Sequence, residues 1–179
     1  MIHRRSEGHW TMPRFIVAYV RFVDRVNYRV GRIAMYLLFV LMGILLWSSL
    51  SKFTPFPSIW TLEMAQFVMV AYYILGGPYS LQLDSNVRMD LLYGSWSDRT
   101  KTWVDAFSIF ALIFYLVVLL IGGLDSTAYS LQYGERSPTA WRPYIAPIKI
   151  VTIIGIFLML LQATAFFFRD VAKLRGEEI

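Results

Sequence analysis

Four long apolar blocks, at residues 33–50, 62–83, 103–124 and 148–168, constrain this chain more than anything else in it. A helix crossing a bilayer needs about 20 mostly apolar residues. The blocks run 18–22 residues, a rise of about 27–33 Å against a hydrocarbon core of ~30 Å. A soluble domain would place its apolar residues in periodic stripes, and here they come as continuous stretches. Composition agrees: 57% of the 179 residues are hydrophobic and 16% charged, where soluble domains hold ~45–50% and ~25%. The expected fold is all-α and integral to the membrane, with four transmembrane helices.

Orientation follows from lysine and arginine. Arg4, Arg5, Arg14, Arg21, Arg25, Arg29 and Arg32 precede the first block. Arg88, Arg99 and Lys101 lie between the second and third, and Arg169, Lys173 and Arg175 follow the fourth. Only Lys52, Arg136, Arg142 and Lys149 fall on the other side. Both termini are therefore expected in the cytoplasm of a bacterial inner membrane. The net charge of +5 belongs to these flanks and not to a patch on a soluble domain, which argues against nucleic acid as a partner. The first apolar block begins too late and runs too long for a signal-peptide h-region of ~7–15 residues, so the N-terminus is expected to be retained.

Residues 1–32 form the expected cytoplasmic N-terminal segment, and within it 14–30 has helical periodicity. Phe15, Tyr19, Phe22, Val23, Val26 and Val30 fall on one arc, and Arg14, Arg21, Arg25, Arg29 and Arg32 on another. This pattern predicts an amphipathic helix in the membrane interface, ahead of the membrane domain at 33–168, with its arginines set for the headgroups of membrane lipids. Residues 169–179 form the expected cytoplasmic tail. Phe53-Thr54-Pro55-Phe56-Pro57 reads as a stiff outer loop, Thr61 as the N-cap of the second span, and Glu63 as a carboxylate favoured by the helix dipole. Gly76-Gly77-Pro78 predicts a kink or a close helix approach. Residues 125–147, rich in Tyr, Trp and Pro, read as the longest outer loop.

The chemistry written into the chain is sparse. Charges inside membranes usually mark ion or substrate paths, yet Glu63, Asp105 and Lys149 all lie within about a turn of a span end. Gln66, Ser108, Thr152, Gln162 and Thr164 reach further in, and each fits a helix–helix hydrogen bond better than a binding site. Both histidines, His3 and His9, lie in the N-terminal segment, away from any position for bis-histidine haem ligation. There is no cysteine, no phosphate-cradling G-x-x-x-x-G-K loop and no nucleophile–base pair. No enzyme activity and no cofactor are expected, and a chain without machinery of its own reads as a subunit.

Asn86-Val87-Arg88-Met89-Asp90-Leu91-Leu92, after a glycine-containing second span, resembles the small membrane subunit of tripartite ATP-independent periplasmic (TRAP) transporters, the DctQ type. Arg88 and Asp90 fit that family's pattern, while Asn86 stands where a histidine is usual and Met89 where Val or Ile is. Glu135, Ser137, Trp141, Tyr144, Pro147-Ile148-Lys149 and Leu161-Gln162 are similar to the family's closing segment. The resemblance implies a scaffold subunit of a sodium-coupled, binding-protein-dependent secondary transporter that imports an organic acid or related solute. Its implied partners are a large multi-span permease subunit and a periplasmic solute-binding protein. Arg88 and Asp90, with Asn86, Glu63 and Gln162, are the candidate interface or structural residues. Two other readings stay open: the small subunit of a tripartite tricarboxylate-type transporter, and a membrane anchoring or assembly protein unrelated to transport.

Overall fold

The computed structural model describes residues 13–54, 58–83 and 98–174. These form four helices: α1 Arg14–Ser51, α2 Thr61–Gln82, α3 Asp98–Tyr133 and α4 Ala146–Leu174. Among the described residues there is no strand, only an isolated bridge between Arg136 and Tyr144. Three of the helices contain segments long and apolar enough to cross a membrane, at Arg14–Ser51, Phe107–Tyr133 and Ala146–Arg169. The 22-residue α2 is long enough as well, but carries Glu63, Gln66, three tyrosines and Pro78.

Neighbouring contacts fix the topology. Ser48 meets Thr61 and Gly31 meets Tyr79, so α1 and α2 are antiparallel. Ile74 meets Gly155 and Gly77 meets Met159, so α2 and α4 run parallel. Ser130 meets Lys149 and Gly123 meets Ile153, so α3 and α4 are antiparallel. The bundle thus runs up-down-up-down. One end carries the 52–60 and 134–145 connections and is called here the loop end; the other, carrying Arg14 and Leu174, is the terminal end. Helix α4 packs on all three others. Leu116 of α3 and Ile156 and Ala163 of α4 form one core cluster; Val20 and Val23 of α1 with Ala165 of α4 form a second.

Three features depart from the sequence expectation. The segment 14–30 is not a separate helix: α1 continues without a break through residues 31–33. Unbroken helix keeps every backbone donor and acceptor paired internally, which apolar surroundings demand. Gly31 does not interrupt it, because its missing side chain is used for packing: a Cβ there would collide with the Tyr79 ring. Part of the expected apolar arc is also spent within the protein, since Val23 is buried against α4 together with Val20, while Phe15 and Phe22 stay exposed.

The second departure is at residues 125–133, expected as loop, which complete α3. The polar run Asp125-Ser126-Thr127 reads as a break, yet Thr127 Oγ1 donates to the Gly123 carbonyl at 2.8 Å and keeps its hydroxyl inside the helix. Helix α3 ends instead at Gly134, whose φ of 59° is left-handed, and the Glu135 amide returns to the Ser130 carbonyl at 3.1 Å. That is a Schellman closure. The third is Thr61, which is the first residue of α2 and not its N-cap; Trp60 holds that position without a side-chain bond. The Thr61 hydroxyl bonds the Ser58 carbonyl and the Ser48 hydroxyl instead, both at 3.2 Å.

Helix α2 continues through Gly76-Gly77-Pro78. Pro78 has no N–H, so the Ile74 carbonyl loses its usual partner four residues on. Gly155 of α4 lies against that carbonyl, and a Cβ on Gly155 would stand 3.0 Å from its oxygen. A freed backbone acceptor is thereby covered by a neighbouring backbone, the close approach that small residues allow between helices in membranes.

Candidate functional site

Among the described residues, two polar networks centre on α4. At the terminal end, Val20, Val23, Asn27, Gly31 and Ala34 form the buried stripe of α1, recurring at the three- and four-residue spacing of one helix face. Asp24 shares this face. Opposite it, Gln162, Ala165 and Arg169 recur at similar spacing on α4. The Asn27 Nδ2 donates to Gln162 Oε1 at 2.5 Å, and Gln162 Nε2 donates to Asp24 Oδ1 at 3.1 Å. The second Asp24 oxygen accepts from the Arg169 guanidinium in an ion pair. Tyr19 and Thr164 share a hydroxyl hydrogen bond at 2.7 Å one turn away, and the Tyr19 ring meets Phe168 edge-on.

Gln162 and Asn27 are fully buried, while Asp24 and Arg169 keep about a fifth of their side-chain surface, 19% and 24%. Carboxylate and guanidinium neutralise each other, and the two amides carry the connection inward. Among the described residues, Asn27 Oδ1 is the buried atom of this circuit without a partner. The arrangement fastens α1 to α4 where an unpaired polar group would be strongly unfavourable.

At the loop end, Lys149 near the start of α4 donates to Ser130 Oγ at 2.6 Å and to Glu135 Oε2 at 2.9 Å. Ser130 in turn donates to Glu135. A lysine beside a helix N-terminus opposes the helix dipole, and Glu135 supplies the compensating charge. The Ser130 hydroxyl first, then Lys149, hold the Glu135 carboxyl below its ordinary value. The rest of the connection is pinned by backbone: Ser137 N–H donates to the Pro143 carbonyl and Ile145 N–H to the Glu135 carbonyl. Arg136 lies over the Tyr144 ring, 4.1 Å from its centroid.

Of the residues singled out in the sequence, Gln162 is brought into the first of these networks. Glu63 is buried near the Ser48–Ser51–Ser58–Thr61 hydroxyl cluster in chain position, with Oε2 unpartnered among the described residues. Gln66 and Ser108 are exposed, and Thr152 and Thr164 bond carbonyls of their own helix. Arg14, Arg21, Arg25, Arg29 and Arg32 are all exposed on α1. Asn86, Arg88 and Asp90 lie outside the described residues. Asp24, Asn27 and Arg169 were missed as a group. Their only sequence signal is an acidic residue and an amide set among arginines, on the face that also carries Val20 and Val23.

The family model described as tripartite ATP-independent periplasmic transporters, DctQ component, matches residues 41–173. That stretch runs from the last third of α1 to the end of α4. No curated protein and no solved structure matches the chain.

Proposed function

The chain belongs to the DctQ component family of the tripartite ATP-independent periplasmic transporters, and from that premise we propose that it is the small membrane subunit of a sodium-coupled, binding-protein-dependent secondary transporter importing an organic acid or related solute. The family match across most of the four-helix unit carries this reading. The distribution of polar groups supports a scaffold role: the two networks on α4 tie helices and a loop together.

All four helices are taken to span the inner membrane, α2 included, because its 22 residues rise about 33 Å and it is packed between two apolar helices. With arginines concentrated at the terminal end, both termini lie in the cytoplasm. Outward-facing Ile33, Tyr36, Phe39 and Leu46 on α1, and Phe107, Phe110, Phe114 and Ile121 on α3, remain exposed. Surface of this kind suits lipid and the helices of a large permease subunit, while solute arrives on a periplasmic binding protein. Arg88 and Asp90 are assigned to fixing the α2–α3 connection or its contact with the permease.

Affinity purification in mild detergent, with mass spectrometry of what co-elutes, tests the reading. A stoichiometric multi-span permease is the expected result; recovery of the chain alone and intact from native membranes would overturn it. Arg88→Ala should reduce transport or co-purification more than Arg5→Ala, and equal effects would remove the specific role of Arg88.

A further inference from the structure

The five exposed arginines of α1 are not equivalent. Arg32 stands over the Tyr28 ring, 5.6 Å from its centroid, and Tyr28 in turn packs against Tyr79 of α2 at 5.8 Å. Tyr79 belongs to the wall of an open groove of about 410 Å³ between α1 and α2, within the ~300–1,000 Å³ of ordinary small-molecule sites. Gly31, Ala34 and Met35 of α1 and Tyr73 and Gly76 of α2 line it as well. Small residues leave room along it, and a Cβ placed on Gly76 would meet nothing within 4 Å. Met35 lines the groove on the α1 side; Arg32, one turn before it, lies outside the lining and reaches the groove wall through Tyr28 and Tyr79.

Arg32 makes no ion pair among the described residues, and Arg25 and Arg29 continue its exposed row toward the terminal end. An apolar slot therefore runs between helices in the bilayer, with a guanidinium stacked beside it through Tyr28 and Tyr79. A partner helix filling the slot would set an uncompensated guanidinium beside apolar surface. A phosphate there would instead accept charge-assisted, paired N–H bonds from the planar fork.

We propose that the α1–α2 groove holds one anionic phospholipid, its phosphate on Arg32 and an acyl chain along Gly31, Ala34 and Gly76. The site differs from the general attraction of a basic helix to a charged leaflet, because chain and headgroup are bound together and one molecule is taken per subunit. It rests on the membrane placement given above and not on the identity of the permease. The bound lipid would wedge the α1–α2 pair at the depth where Gly31 and Tyr79 cross.

The test is native mass spectrometry of the full chain, extracted from membranes with whatever it carries, delipidated and titrated with phosphatidylglycerol or phosphatidylcholine in detergent. One phosphatidylglycerol per chain should be retained and phosphatidylcholine should not. Arg32→Gln should weaken retention about five-fold, the effect of one basic residue near an anionic lipid. Gly76→Leu, whose Cβ enters open space and whose side chain occupies the groove, should abolish retention, and Arg14→Gln at the far end of α1 should change nothing. Equal retention of the two lipids, or phosphatidylglycerol binding unchanged in both Arg32→Gln and Gly76→Leu, would overturn the proposal. Loss of a co-purifying permease in Gly76→Leu with lipid retention intact would also overturn it, and assign the groove to a protein helix. Retention of one phosphatidylglycerol by a chain that recovers no permease would uphold the lipid site while the subunit reading fails.

Discussion

The two polar networks on α4 use the same side-chain chemistry for different ends. At the loop end, Ser130, Glu135 and Lys149 are separated by 5 to 19 residues, and the ion pair is open to solvent, with 26% and 37% of the two side chains exposed. At the terminal end, Asp24 and Asn27 meet Gln162 and Arg169 across 135 to 145 residues, and both amides are fully buried. Along α4 the anchor residues Lys149 and Gln162 stand about 20 Å apart. The local network shapes one connection, whose ends a Schellman closure and a short backbone ladder already constrain. The distant network helps decide which helices are neighbours, pairing the first half of α1 with the end of α4 beside the Val20, Val23 and Ala165 cluster and the Tyr19 contacts with Thr164 and Phe168.

The largest loss is expected from removing the charge that joins them. Asp24→Ala leaves Arg169 and the Gln162 amide without their acceptor in a partly desolvated setting, and should destabilise the folded chain by about 2–3 kcal/mol. Asp24→Asn keeps an acceptor for Gln162 and should fall in between. Reversible unfolding by SDS titration in mixed micelles reads the difference. If Asp24→Ala lowered stability no more than a substitution at Glu135, the contrast between the two ends would collapse.

A second, smaller effect sharpens the comparison by separating burial from charge. Gln162→Leu strands the Asn27 Nδ2 and removes a donor from Asp24, and should lower stability by about 1–2 kcal/mol. Adding Asn27→Leu should recover part of that loss, because replacing both buried partners by apolar groups removes the unpaired atoms. The pairwise term from this double-mutant cycle should be well above the ~0.3–0.5 kcal/mol scatter of independent sites. Simple additivity would mean the two amides do not act as a pair.

The all-helical class, the positions of three apolar spans and the arginine row of α1 were legible in the sequence because each depends on residues close together in the chain. What was missed depends on partners far away or on a local bond that composition hides. Asp24 reads as one more charge in a basic segment, and Arg169 as a membrane flank; only the fold brings them together. Gln162 was visible as a polar residue in an apolar span, without its partner. Asp125-Ser126-Thr127 reads as a loop by polarity, although Thr127 satisfies its hydroxyl within its own helix. Pro78 signals an interrupted helix, whereas the consequence that matters, a freed Ile74 carbonyl covered by Gly155, involves a glycine on a different helix. Gly134, directly after the last tyrosine of α3, was the readable marker of where that helix stops.

The smallest effect belongs to the loop end and shows itself in pH. The Glu135 carboxyl is held below its ordinary value of about 4.5 by Ser130 and Lys149, so folding binds fewer protons there than unfolding does. A carboxylate lowered in the folded state contributes stability that is fully present above the ordinary carboxylate value and is lost as pH falls through the folded value. Glu135→Gln should therefore lower the unfolding midpoint slightly at pH 7, and the gap to the unsubstituted chain should close as pH is taken from 5 toward 3. Helix order and helix content by circular dichroism should be unchanged, because Gly134 and the backbone bonds around the connection remain. A gap that persisted undiminished at pH 3 would show that Glu135 acts through packing, and that the loop end resembles the buried network more than its exposure suggests.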